Sequence, residues 1–154
     1  MRKWLDLLVG IETGILGGLV MLAWFTMLSL LMGRPWWFVL NLFATEAYGR
    51  DALRLGPGWA TVAGAAVHLS IAGLVGAVAG LFSPGGRLYG LGIAIIWYIL
   101  STVWVWKRIA PLVPVYVPYA VLMSAYFLYG SALGLHSHFR RQLMNKPKAF
   151  ATNS

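Results

Sequence analysis

Residues Trp59–Phe82 read WATVAGAAVHLSIAGLVGAVAGLF, 24 residues without a single Asp, Glu, Lys or Arg. A helix needs about 20 apolar residues to cross the hydrocarbon core of a bilayer. Barrel strands are shorter and alternate apolar with polar positions, whereas apolar residues here point in every direction. Small residues recur every fourth place, at Gly64, Ala72, Gly76 and Gly80, and His68 occupies the remaining place in the row. The stretch reads as a transmembrane helix with one smooth narrow face and one imidazole near its middle.

Working outward, three more charge-free runs appear, over residues 13–33, 88–106 and 109–139. Pro111, Pro114 and Pro118 keep the start of the last from being regular helix, which leaves a fourth span at about 117–135. The first run is longer than the apolar stretch of a signal peptide, so it reads as a retained helix. Composition agrees: 60% of the chain is hydrophobic, 10% is charged, and the mean hydropathy is +0.74, against roughly 25% charged in soluble domains. A water-soluble domain and a disordered chain are excluded. The absence of cysteine excludes a secreted disulfide scaffold. The expected fold is all-α: one domain, a transmembrane bundle of four helices. Ser83-Pro84-Gly85-Gly86-Arg87 is turn chemistry, predicting a tight antiparallel hairpin of the second and third spans.

The longest connection, residues 34–57, opens with Pro35-Trp36-Trp37-Phe38. Trp36, Leu40, Phe43 and Ala47 recur at helical spacing with Asn41, Glu46 and Arg50 among them. This predicts an amphipathic helix over 35–50 lying in the headgroup layer, anchored by Trp36 and Trp37. Trp104 and Trp106, beside Lys107 and Arg108, read as anchors of the third span.

With both termini on one side, that side carries Arg2, Lys3, Arg87, Arg140, Arg141, Lys146 and Lys148; the other carries Arg34, Arg50, Arg54, Lys107 and Arg108. The excess predicts cytoplasmic termini, with the chain in a bacterial inner membrane. The net charge of +8 then reads as topology plus attraction to phospholipid headgroups. Basic residues dispersed over both sides argue against a nucleic-acid partner.

Lipid tails are as apolar as leucine, so membrane helices associate by close packing at small residues. Gly10, Gly14 and Gly18 form one seam, the row from Gly64 to Gly80 a second, and Tyr126, Gly130 and Gly134 a third. Most are expected to pack helices inside the bundle. A groove left over would take another integral membrane subunit, or the flat ring of a pigment or quinone.

His68 is the residue to single out, roughly 4 Å from the middle of its helix at 1.5 Å rise per residue. One reading is a neutral imidazole bonded to a side chain or carbonyl of a neighbouring helix, such as Ser101, Ser124 or Tyr126. A second is an axial ligand to haem or bacteriochlorophyll, with Gly64 making room for the ring. A third is a proton relay. Glu12, near the start of the first span, reads as half of an interfacial ion pair with Arg2 or Lys3. His136 and His138 lie two apart, on different faces of a helix, and with Arg140 and Arg141 read as an interfacial group meeting phosphates. No phosphate loop, zinc-protease motif or nucleophile–base pair is present, and four acidic residues supply little acid–base chemistry. The chain does not read as an enzyme.

The glycine-rich first span, Arg34-Pro35-Trp36-Trp37 followed by Asn41, Val67-His68-Leu69, and Tyr129-Gly130 with Gly134 together resemble small uncharacterised bacterial four-helix inner-membrane proteins. The resemblance covers about residues 14–135 and implies fold and location only. With the basic tail over 139–154 taken as an element held by a larger assembly, the leading expectation is a non-catalytic accessory subunit of a multi-subunit membrane complex. The aromatic load and His68 suggest an electron-transfer complex, respiratory or photosynthetic. A tetrapyrrole-binding protein and a small-solute channel or carrier are the alternatives.

Overall fold

Glycines four apart present bare backbone along one side of a helix, and two such sides can touch without side chains between them. This is how α1 (Arg2–Leu31) meets α4 (Trp59–Phe82) in the computed structural model, which describes residues 2–82 and 86–144. A Cβ on Gly14 would lie 2.5 Å from the Ala72 carbonyl oxygen and 2.9 Å from Gly76 Cα. One on Gly10 would strike the Gly76 carbonyl, and one on Gly80 the Asp6 carbonyl. Gly18 faces the Ala72 methyl at 2.8 Å. Residue numbers rise on one helix as they fall on the other, so the pair is antiparallel. The first two seams are therefore one interface seen from both sides.

The fold is all-α, with 85% of the described residues in helix. Between α1 and α4 lie α2 (Phe38–Phe43), α3 (Thr45–Tyr48) and a 3-10 turn (Arg50–Leu53). After α4 come α5 (Arg87–Leu100), a π-helical turn (Ser101–Val105) and α6 (Trp106–Ile109), which together make one continuous rod. Then follow α7 (Val113–Tyr116), α8 (Tyr119–Leu133) and α9 (His136–Met144). Three helices are long and apolar enough to cross a membrane: Lys3–Leu31, Trp59–Phe82 and Leu88–Ile109. Their outward faces carry large apolar residues such as Leu19, Leu74 and Ile96, as suits helices bathed in lipid.

The third seam closes inside the bundle too. Gly130 and Gly134 of α8 meet Gly90 of α5, where a Cβ on Gly130 would lie 2.6 Å from the Ala94 methyl. Gly17 of α1 takes the Tyr129 ring of α8, and the Trp24 indole donates to Ser124 Oγ at 3.0 Å. Helix α1 thus packs against both α4 and α8, which also meet each other where the Tyr129 hydroxyl donates to the Ala72 carbonyl, and α5 packs on α8.

Four expectations are revised. Helix α1 starts well before residue 13 and runs for 30 residues. The expected span over 117–135 is regular helix only through the 15 residues of α8, because Pro118 stops the helix from extending backward and Gly134 follows its end. Among the described residues α4 and α5 are not close backbone neighbours, although consecutive in sequence: α4 spends its glycine face on α1 and α5 spends its own on α8. The residues Ser83-Pro84-Gly85 of the expected hairpin turn, and Lys146 and Lys148 of the basic tail, lie outside the described residues. Fourth, the segment 35–50 is not one amphipathic helix on the surface. It breaks at Ala44, and Val39–Phe43 is buried.

Gly14→Ala must push the two backbones apart and is expected to destabilise the bundle by about 1–3 kcal/mol, the usual range for overpacking. Gly92→Ala, with nothing within 4 Å of its added methyl, should instead stabilise α5 by about 0.5–1 kcal/mol. Loss of helical circular dichroism in a graded SDS titration of the micelle-bound protein measures both.

Candidate functional site

Where α4 leaves α1 it receives α2, and the first half of its row of small residues explains why. The carbonyl of Leu40 and the amide of Ala44 fill the space a side chain at position 64 would need. Only glycine lets α2 come that close. One turn on, the Phe43 ring covers the His68 imidazole, with centroids 4.8 Å apart and planes tilted by 32°. Phe25 of α1 closes the cluster edge-on to His68 at 6.3 Å, and Trp106 stacks on Phe43 from the other side at 5.7 Å.

Backbone without regular helix needs its polar groups satisfied when buried, and Asn41 does much of this for the segment after α2. It has no exposed surface. Its amide donates to the carbonyl oxygens of Ala52 at 2.7 Å and Gly56 at 3.0 Å. Its oxygen accepts from Thr61 Oγ1 at 2.7 Å, and that hydroxyl accepts from the Gly58 amide at 3.1 Å. Thr61 so caps the first turn of α4 as a third-position side chain reaching back to the residue before the helix. One asparagine ties together α2, the 3-10 turn and the start of α4. The sequence reading had placed Asn41 on the polar side of a surface helix, with nothing to show that its neighbours were carbonyls.

His68 is buried and Nε2 lies 3.2 Å from the Gly18 carbonyl oxygen of α1. A carbonyl only accepts, so Nε2 carries the hydrogen and donates. The interhelical hydrogen bond is to a carbonyl of the neighbouring helix, one of the two kinds of acceptor expected, and not to Ser101, Ser124 or Tyr126. Those three are engaged elsewhere: Tyr126 donates to Ser101 Oγ at 2.5 Å, and Ser124 accepts from Trp24. The geometry does not suit a tetrapyrrole. Nε2 is taken, Phe43 covers one face of the ring, and the room expected beside Gly64 is filled by α2.

Trp106 is not an interfacial anchor. Only 6% of it is exposed, against 59% of Trp104. The cause is the π turn, which holds an extra residue per turn; Val105 and Trp106 after it both face inward, where a regular helix would swing Trp106 toward lipid. Trp36 is exposed and Trp37 half-buried at the mouth of the inserted segment.

At the other end, His136 is buried with Nε2 3.2 Å from the Asp6 carbonyl oxygen, and His138 is exposed beside Gln142. The two point apart, as their spacing requires. The ion pair found at this end joins Asp6 to Arg140, 2.5 Å apart, and fastens α9 to the start of α1. Glu12 is exposed.

Asn41→Ala strands two buried carbonyls and the Thr61 hydroxyl, and is expected to cost about 2–5 kcal/mol. Asn41→Asp, which keeps the shape but aims a charge at two carbonyls, should be at least as damaging. Limited proteolysis between Gly49 and Gly58, together with SDS unfolding, reports the release of the inserted segment; unchanged cleavage would contradict the role given to Asn41.

Comparison with protein-family models, with curated proteins and with solved structures finds no match for this chain. The resemblance to small bacterial inner-membrane proteins therefore rests on the residues quoted for it alone.

Proposed function

We propose that the chain is a non-catalytic structural subunit of a larger membrane complex, crossing a bacterial inner membrane four times with both ends in the cytoplasm. The observation that carries this reading is the use made of the buried polar side chains. His68 donates to Gly18, Tyr129 to Ala72, Tyr126 to Ser101, Trp24 to Ser124 and Asn41 to two loop carbonyls. All of these bonds join one segment to another, which is the work of a scaffold. Helix α8 supplies the fourth crossing in this reading, with α9 and the start of α1 on the same side, joined by Asp6 and Arg140.

The glycine seams are consumed within the bundle, so the partner is met by the outer surface. A groove of about 580 Å³ between α1, α5 and α8, walled by Leu16, Val20, Leu91 and Leu128, is wide enough to receive side chains from a neighbouring helix. Of the aromatic residues that suggested an electron-transfer complex, Trp106 is spent on packing against Phe43 and Tyr98 on packing against Tyr126, while Trp104 is exposed, so the proposal names the role and not the class of complex. A tetrapyrrole carrier is disfavoured by the crowding at His68.

The lack of native cysteine makes the topology directly measurable. Single cysteines at Ser154 and at Arg87 should react with a membrane-impermeant maleimide only after the cytoplasmic face is opened, and cysteines at Arg50 and Arg108 only from the outside. Any other pattern removes the four-crossing arrangement. Solubilised in a mild detergent, the tagged protein should migrate with partner subunits at a mass well above its own 16.9 kDa; a lone, stable monomer would refute the subunit role. The preparation should be colourless, and a visible or near-infrared band lost in His68→Ala would reinstate ligation.

A further inference from the structure

The gap between α4 and the third rod, left because each packs its glycines elsewhere, is closed by side chains around a cavity of about 20 Å³. Met21 of α1, Phe43 of α2, His68 and Ala72 of α4, Trp106 of α6 and Tyr126 of α8 are among its walls. A space of roughly 10–15 Å³ suffices for one water if two or more polar groups line it, and an apolar space of that size stays empty.

This cavity is not apolar. Trp106 Nε1 is fully buried with no acceptor in hydrogen-bonding geometry, and the Tyr126 hydroxyl is the polar group it neighbours. Across the cavity, His68 has committed Nε2 to Gly18, so its Nδ1 keeps a lone pair with no donor among the described residues. The Tyr126 hydroxyl has given its hydrogen to Ser101 and can still accept. A buried indole N–H without an acceptor loses its hydration with nothing in return, and the π turn precedes it directly in the chain. A donor lacking an acceptor and an acceptor lacking a donor thus line one small space.

We propose that the cavity is a binding site for a single water molecule, which accepts from Trp106 Nε1 and donates to His68 Nδ1 and to the Tyr126 oxygen. The water completes a hydrogen-bonded link from α1 through His68 to α6 and α8, at a depth where no lipid-phase water is available. His68 then serves as a connector with both ring nitrogens in use. The link is independent of the subunit role: it holds whether or not the protein has partners.

The full-length protein, labelled with 15N-tryptophan in lipid nanodiscs, provides the test. The indole signal of Trp106 is assigned by its loss in Trp106→Phe, or, if that variant does not accumulate, by its selective shift in Val105→Ile. It is expected to show a cross-relaxation peak to water. His68→Leu, which removes the acceptor, and Val105→Ile, which adds a methylene to the cavity wall, should each abolish that peak and leave the signal of Trp104 unchanged. No water peak on Trp106 in the unmodified protein overturns the proposal. So does a peak that survives both substitutions, or an indole shift that responds only to Tyr126→Phe, which would mean a direct bond between the two rings.

Discussion

The contact between the backbones of α1 and α4 is the constraint from which the rest of the arrangement follows. Two helices in lipid gain nothing by hiding apolar side chains from solvent, since the tails around them are equally apolar. What they gain is close packing and the weak polar contacts that backbone proximity permits, and both vanish with an ångström of separation. Gly10, Gly14, Gly76 and Gly80 deliver that proximity over several turns. Bordering this strip on α1, Gly17 takes the Tyr129 ring of α8. Helix α5 is left to find α8 through Gly90.

The same contact explains the inserted segment. Past Gly18, α1 and α4 are joined by His68 rather than by backbone, and the wedge between them is filled by Phe43. For a side chain on α2 to arrive there, α2 must lie against α4, and Gly64 is the position that permits it. The break in helix at Ala44 then exposes carbonyls that water would otherwise serve, and Asn41 serves them. Substituting Asn41 and crowding Gly64 are therefore two ways of losing one feature: the placement of Phe43 over His68.

Much of this was legible in the sequence. Three of the spans, the seams and the bonded histidine follow from charge-free length and from spacing by four. What the spacing could not show is which seam meets which. Gly10, Gly14 and Gly18 match the row on α4 no better by sequence than they match Gly130 and Gly134, and the α5 side of the third seam, Gly90 with Ala94 one turn on, is not singled out by its spacing. The segment 35–50 was misread for a definite reason. Trp36, Leu40, Phe43 and Ala47 fit an amphipathic period whether the apolar side faces lipid or protein, and only the tertiary neighbours of Asn41 decide. Trp106 reads as an anchor from its place beside Lys107 and Arg108, and the π turn that carries it inward leaves no glycine or proline in the sequence to mark it.

The internal use of every glycine seam bears on how such a chain could join an assembly. A subunit that offered a bare strip to its partner would keep that strip exposed to lipid until assembly, and it would pair with any other smooth helix it met. Here the strips are closed, and the outer surface of α1, α5 and α8 offers branched side chains around a shallow depression instead. Recognition on such a surface depends on matching shape over many side chains, none of them individually decisive. It follows that single substitutions at Leu16, Val20 or Leu128 should disturb partner contacts little, while a substitution in a buried seam, which moves two helices at once, should disturb them a great deal. In the proposed subunit role, the seams act on the partner indirectly: they fix the relative positions of α1 and α8, and those positions set the depression's shape.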